Sequence, residues 1–361
     1  MALTNFAALT TEQKTVWSME FWRMARNSSF VNKFMGTDAN SVIQRVTELK
    51  KSEKGARAVI TLIADIEGDG VVGDNTLEGN EEAILSYDKV IQIDQMRNAN
   101  RHKGRMADQK SIVDFRKESR DQLAYWYADR IDQLAFLTLS GVAYSLNTDD
   151  SARTGSQFPN LSFASDVVAP STNRHLRWDA VSYLTAGNTA NVAAEDTPTY
   201  RMIVELKAYA KEHFIRGVKD GSGDEVYHLF LTPTAMAKLR MDPDFLANVR
   251  HAGARGNGNE LFKGTSSVLC DGVWVHEFRH VYHASDWGGG AISGCRGLFC
   301  GAQALAFADI GPATWDEEEF DYGNQQGISI AKIVGMLKPQ FYAKKTATTE
   351  DFGLVVIDMA Q

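Results

Sequence analysis

The sequence has 361 residues, a net charge of -8, 44% hydrophobic and 23% charged residues, the composition of a globular chain long enough for a sizeable core and more than one domain. The acidic balance excludes a general nucleic-acid binder, which neutralises phosphates with lysine and arginine, but not a protein that merely encloses nucleic acid. No apolar run approaches the roughly 18 residues of a membrane span, the first residues lack a signal-peptide pattern, and the three cysteines, Cys270, Cys295 and Cys300, are odd in number and few, so a reducing interior is expected and no membrane contact.

Thr10 to Gln13 opens an expected helix through about Arg26, with Val16, Trp17, Glu20, Phe21 and Met24 near helical spacing. That apolar face needs a partner, either its own domain or a neighbouring subunit. A strand is expected over 57–66, then a Gly, Asp and Asn-rich stretch over 67–82, then a second strand over 84–96. The pair reads as a long hairpin, which is marginal alone and calls for outside support. Between Gly104 and Gly141 there is neither glycine nor proline. The spacing predicts one long helix, with Ser111 to Asp114 as a capping box and Gly141 as a left-handed C-cap. Leu123, Tyr127, Ile131, Leu134, Ala135 and Thr138 fall on one face, and Asp121, Asp129, Arg130 and Asp132 away from it, so one side packs and the other meets water. Such a strut suggests a flat or elongated body. Further on, Thr197-Pro198 is expected to start a helix that ends near Ile215, and Pro233 another through Leu239, with Met241 to Ala254 helical. Strands are expected over 226–231, 272–282, 297–307, 328–336 and 352–358. Helices and strands alternate without βαβ regularity, which predicts an α+β fold.

Several motifs invite a chemical reading. His276-Glu277-Phe278-Arg279-His280 matches the zincin pattern, in which two histidines one helical turn apart hold zinc and the glutamate activates water, and so gives a zinc-dependent hydrolase as the alternative function. The motif, however, lies in an alternating β-branched and aromatic stretch, and on a strand the two histidines would stand some 13 Å apart. His283 with Cys295 and Cys300 is a weaker metal candidate. Asp65, Glu67 and Asp69 resemble the start of a calcium loop, but Thr76 stands where a bidentate glutamate is needed. Asp316 to Glu319 reads as a wet face or loop. No catalytic, cofactor-binding or metal residues are assigned, and the chain is not read as an enzyme.

The charges are segregated. Residues 58–88 carry Asp65, Glu67, Asp69, Asp74, Glu78, Glu81, Glu82 and Asp88 and no cation, a net of -8. Residues 97–120 carry Arg97, Arg101, Lys103, Arg105, Lys110, Arg116, Lys117 and Arg120 against Asp108, Asp114 and Glu118, a net of +5.

In order along the chain, Phe34-Met35-Gly36, Gly68 to Asp74, Leu77-Glu78-Gly79, Leu123 to Trp126 with Asp132, Leu139-Ser140-Gly141, Leu239 to Asp242, Asn259 to Phe262 with Gly264, Gly301 to Ala304, Asp321 to Asn324 and Phe352-Gly353 together resemble tailed-bacteriophage major capsid proteins of the Hong Kong 97 (HK-97-like) type, in the coliphage N-four branch. The resemblance implies an N-terminal arm (1–45), an extended E-loop hairpin (46–104), a peripheral domain on a spine helix (105–195), an axial domain (196–335) and a return to the peripheral domain (336–361). It implies a shell subunit of the virion, made in the host cytoplasm, that associates with itself into hexamers and pentamers of an icosahedral head. Portal and scaffold or decoration proteins are implied as partners, and double-stranded DNA is enclosed without sequence-specific contact. An encapsulin-like compartment shell is the related alternative. In such a fold the acidic hairpin lies over the basic segment of the next subunit, and Trp17 and Phe21 are offered to an adjoining one. No cofactor is implied.

Overall fold

The computed structural model describes residues 11–46, 57–63, 70–82, 86–111, 114–252, 267–343 and 346–361. Asp65, Glu67, Asp69 and the Asn259 to Gly264 motif lie outside the described residues. In chain order the elements begin with α1 (Thr11–Ser28), β1 (Met35–Gly36), β2 (Ile43–Val46), β3 (Arg57–Ile63), β4 (Ser86–Gln92), β5 (Asp94–Arg101), α2 (Arg105–Lys110) and α3 (Phe115–Ser140). The middle holds β6 (His175–Asp179), β7 (Tyr183–Ala186), α4 (Tyr200–Glu212), β8 (Val218–Lys219), β9 (Glu225–Leu231), α5 (Pro233–Met241) and α6 (Pro243–Ala252). The remainder is β10 (Ser267–Cys270), β11 (Val273–Glu277), β12 (His283–Asp286), β13 (Ile292–Cys300), β14 (Leu305–Phe320), β15 (Gln325–Leu337), β16 (Gln340–Ala343), β17 (Thr348–Asp351) and β18 (Leu354–Ala360).

The long helix forms, but in two pieces. Asp114, not Ser111, is its N-cap: the carboxylate accepts from the backbone N–H groups of Arg116 and Lys117, and the residues before it make the separate short α2. Gly141 closes α3 at φ 67°, where a Cβ would stand 2.6 Å from the Val168 carbonyl oxygen. α3 runs for 26 residues, or about 39 Å at helical rise. The expected wet side is wet only over the first turns. Leu134 to Ser140 are buried without interruption, and Asp132 is buried as well, because α3 is wedged between two sheets and cannot keep a solvent face along its C-terminal half.

One of those sheets has five strands in the order β1-β2-β14-β15-β5, and the other has nine, running β10-β11-β9-β13-β18-β6-β7 with β12 on β13 and β8 on β9. Phe136, Leu298, Phe230 and Val356 on one side of α3, and Trp315, Ile328 and Ile330 on the other, belong to a single buried cluster. The far face of the nine-stranded sheet carries α4, α5 and α6 through Met202, Leu206, Met236, Leu239 and Phe245. α4 is capped by Thr199, whose hydroxyl accepts from Met202 N–H, two residues beyond the expected Thr197.

Two expected strands turn out to be crossings between layers. The stretch expected as one strand over 84–96 breaks at Ile93: β4 pairs with β3, and β5 pairs with β15. The break lies where the chain crosses Gly335, whose Cβ would stand 2.3 Å from the Gln92 carbonyl oxygen, an approach only glycine permits. The stretch expected over 297–307 breaks at Gly301 to Ala304, with β13 in the nine-stranded sheet and β14 in the five-stranded one. The strand expected over 272–282 stops at Glu277. The expected boundaries at 195 and 335 therefore do not follow the sheets, since 305–337 lies with α3 and β5, while 175–186 and 354–360 lie in the nine-stranded sheet.

Candidate functional site

The zincin motif does not assemble. His276 lies on β11, where its Nε2 is 2.9 Å from Nδ1 of His228 on the neighbouring β9, and the two rings stack at 5.2 Å. Phe34 covers both edge-on, at 5.4 Å from His228 and 4.9 Å from His276. Burial lowers the His228 pKa to about 4. Burial, with repulsion from His228 and Lys33, lowers that of His276 to about 3. His280 sits past the end of the strand and turns to α3, with its Nε2 2.8 Å from Asp129 Oδ1. Arg279 donates to the same oxygen at 2.7 Å. The His280 hydrogen bond, ahead of the cost of burial, holds the Asp129 carboxyl below its usual range. Among the described residues no group of three or more His, Cys, Asp and Glu is placed to hold a metal ion. His283 is opposite Cys295 in the β12–β13 pairing, but Cys300 is five residues further along β13 and so on its other face. All three thiols are buried, and burial pushes Cys295 up to about 12 and Cys300 higher still, so neither of these two supplies a thiolate nucleophile.

The N-terminal helix docks on its own chain. Phe21 is 1% exposed and meets Tyr127 of α3 edge-on at 6.1 Å, with Trp22 on the same ring at 5.6 Å. The Ser18 hydroxyl donates to the Ala313 carbonyl. Where α1 ends, Asp132 accepts from Ser29 Oγ at 2.6 Å, Phe30 N–H at 2.8 Å and Val31 N–H at 3.1 Å. The Phe21 side chain is therefore packed within its own chain; among the described side chains of α1, the exposed large apolar ones are Val16 and Met19. The Trp17 side chain lies outside the described residues. Beneath α1, Asp309 bridges Arg45 and Lys332, and Lys332 Nζ lies 4.2 Å over the Trp22 ring. Composition gives no sign of this buried charge cluster.

The acidic and basic segments are divided by the fold in a way the sequence does not show. Among the described residues β3 and β4 pair only with each other, and Asp74, Glu78, Glu81 and Glu82 on the segment joining them are exposed. Ile60 and Ile91 seat the base of the hairpin on Ala306, Ala308 and Leu337, while the cross-strand pair Val59 and Val90 faces solvent. Among the cations, Arg116 pairs with Glu317 at 2.8 Å, and Arg120 pairs with Glu20 at 2.7 Å and Asp121 at 2.8 Å. Arg105 donates from Nε to the Gly323 carbonyl at 3.0 Å. Arg97, Arg101, Lys103 and Lys117 are exposed. Arg97 and Arg101 stand on β5, on the face of the five-stranded sheet turned from α3, with Arg101 4.9 Å over the Phe320 ring. Asp316 and Glu318 share that face across β15, since Glu318 is opposite Gly327 and Gly327 opposite Arg101. The basic strip therefore has an acidic rail two strands away, legible only once Asp316 to Glu319 is known to be a strand rather than a loop.

A hairpin standing off a two-sheet body built on one long helix defines the HK-97-like shell fold, here in an α+β chain. Residues 5–361 match the family described as phage capsid protein. The major capsid protein of Pseudomonas phage KPP25 is 60% identical over 99% of this chain and 97% of its own. Among solved structures, the capsid of Ralstonia phage GP4 is 27% identical with a TM-score of 0.76, over 92% of this chain and 90% of that one. The cyanophage Pam1 capsid shares the fold at 18% identity, with a TM-score of 0.70 over 99% of both chains. The chain belongs to the phage capsid protein family. Its role is that of a major capsid protein, a structural component of the virion that associates with copies of itself in a capsid lattice.

Proposed function

We propose that the chain forms rings of six and five that close an icosahedral head around double-stranded DNA, assembling in the host cytoplasm with portal and scaffold or decoration proteins. The nine-stranded sheet with α4 to α6 is the axial region that surrounds ring centres, and α3 with the five-stranded sheet is the peripheral region. The observation that carries the subunit contact is the β3–β4 hairpin: among the described residues its strands pair with no other strand, and residues 58–88 are acidic with no cation. Such a finger repels its own copies and is attracted to a basic surface. Its receiving surface is the outward set Arg97, Arg101, Lys103 and Lys117, not the internally paired Arg116 and Arg120. Residues 58–88 also contain no lysine, so no amide bond can be made from a lysine of that segment. Electron microscopy of the expressed protein should show closed shells, and boiled, reduced shells should run at 39.9 kDa on a denaturing gel. A ladder of multimers would contradict the non-covalent contact, and absence of any shell under assembly conditions would contradict the reading as a whole.

A further inference from the structure

The tip of the β14–β15 hairpin is held in an unusual state. Asp321, Tyr322 and Gly323 follow one another at φ 50°, 51° and 78°, a region that residues with a Cβ seldom enter. The conformation is fixed from the start of α2 and the residues just before it: Arg105 Nε donates to the Gly323 carbonyl at 3.0 Å, Arg105 N–H to Asn324 Oδ1 at 3.3 Å, and Gln325 Nε2 to the Lys103 carbonyl at 3.0 Å. All this presents Tyr322 at 108% relative exposure. A rigid loop holding a tyrosine wholly in water is a poor arrangement for one chain and a good one for a contact, because tyrosine brings large amphipathic area at little cost in conformational entropy. Strained backbone held by surrounding bonds is likewise a feature of functional segments.

At the same end of the molecule, between β5, α2 and the start of α3, there is a cleft of about 230 Å³. That is below the roughly 300–1,000 Å³ of small-molecule sites and on the scale of a side chain. Its floor is the ring of Phe115, set edge-on to His102 at 5.0 Å, and Asp108 and Glu118 stand on its walls as acceptors for a phenol O–H. Lys110 and Lys117, on the two helices that flank it, are exposed and form no ion pair among the described residues, whereas the tyrosine is flanked by the exposed carboxylates Glu319 and Asp321. Knob and cleft thus complement one another in shape class and polarity, and the flanking Lys110 and Lys117 are opposite in sign to Glu319 and Asp321. Within one chain they remain apart.

We propose that Tyr322 of one copy seats in the cleft between α2 and α3 of the next, on the Phe115 ring. Every copy carries both halves, so the contact is head-to-tail and closes a ring when repeated by rotation. This rests on the self-association read above and names a second contact, independent of the acidic hairpin. Tyr322→Gly tests it with a built-in control, since glycine accepts the positive φ without strain. The folded subunit should keep or raise its unfolding midpoint, while the yield of shells falls at least tenfold at concentrations where the parent assembles. Glu319→Cys with Lys110→Cys, which keeps Tyr322, should give disulfide-linked multimers on oxidation of assembled shells and none from dispersed subunits. The native cysteines are buried and give no background. Parental shell yield from Tyr322→Gly overturns the contact and leaves the shell reading standing, as do double-cysteine shells that oxidise to monomers only. Failure of the parent itself to form shells removes the shell reading instead.

Discussion

The paired histidines His228 and His276 show how a residue type that suggests chemistry can serve packing. Nitrogen to nitrogen at 2.9 Å, under Phe34 and beside Phe230, they can share one proton in their hydrogen bond, but neither can take up a second without placing charge in an aromatic cage next to a like charge. Both stay neutral in the fold, at about 4 and about 3 against an ordinary 6.5. From 6.5 down to those values the unfolded chain therefore binds protons that the folded chain refuses. The stabilisation from neutral packing is complete above pH 6.5 and is lost as pH falls toward 4 and then 3. The Asp129–His280 pair adds to the same trend once Asp129 protonates. Replacing both histidines, His228→Gln with His276→Gln, should flatten the decline of the unfolding midpoint between pH 6.5 and 4. Equal slopes for variant and parent in a thermal melt series would show that the pair does not titrate in this range. By anchoring Phe34, the pair also ties the segment after α1 to the nine-stranded sheet.

At the scale of elements, α3 depends on its ends. Asp114 satisfies two of the N–H groups left open at the start of the helix and stands at the positive end of its dipole. Asp114→Ala should cost about 0.5–2 kcal/mol by chemical denaturation, whereas Ser111→Ala, at the position the sequence pattern favours, should cost less than the cap does. Equal losses would mean that the cap is misassigned. Gly141 was legible because a helix stop is a local property of the chain. Ser111 misleads because a serine three residues before an acid looks like a capping box wherever it occurs; here it is the extended C-cap of α2, with its backbone N–H donated to the Asp108 carbonyl. The breaks at Ile93 and Gly301 were not legible at all. Each follows from a close approach between segments distant in sequence: Gly335 under Gln92, and Gly301 with its Cβ position 2.2 Å from the Arg216 carbonyl oxygen. The same division holds for the candidate surfaces. The signs of the charged segments can be read along the chain, but whether an arginine is spent internally depends on partners some 100 to 200 residues away, as Arg120 with Glu20 and Arg116 with Glu317 illustrate.

For the whole molecule, those internal pairs change what a charge-reversal experiment means. Arg116 and Glu317 are both partly buried, with side chains 24% and 7% exposed. Arg116→Glu would set two carboxylates against each other under the five-stranded sheet. That variant should lower the unfolding midpoint of the isolated subunit before any question of assembly arises. Arg97 and Arg101, by contrast, lie on the open face of β5, with no ion pair among the described residues. Reversing both to glutamate leaves the core untouched; within the subunit it costs only the exposed Arg101 contact with the Phe320 ring and solvent-screened repulsion from Asp316 and Glu318 two strands away, so its main effect is on what approaches that face. Exposed pairs contribute about 0.2–1 kcal/mol each, so a few of them per contact suit a lattice whose misplaced subunits must be able to leave. Screening length shrinks from about 10 Å at 0.1 M salt to about 3 Å at 1 M, so early shells should loosen as salt rises. Arg97→Glu with Arg101→Glu should therefore suppress assembly at low salt while the subunit melts within about a degree of the parent. Adding Glu78→Lys, Glu81→Lys and Glu82→Lys should restore part of the shell yield, measured by sedimentation. If the double reversal assembles as the parent does, the acidic hairpin docks elsewhere; if it fails to assemble and the lysine set gives no recovery, Arg97 and Arg101 face a different partner, and the acidic rail Asp316 and Glu318 on the same sheet becomes the reference point for finding it.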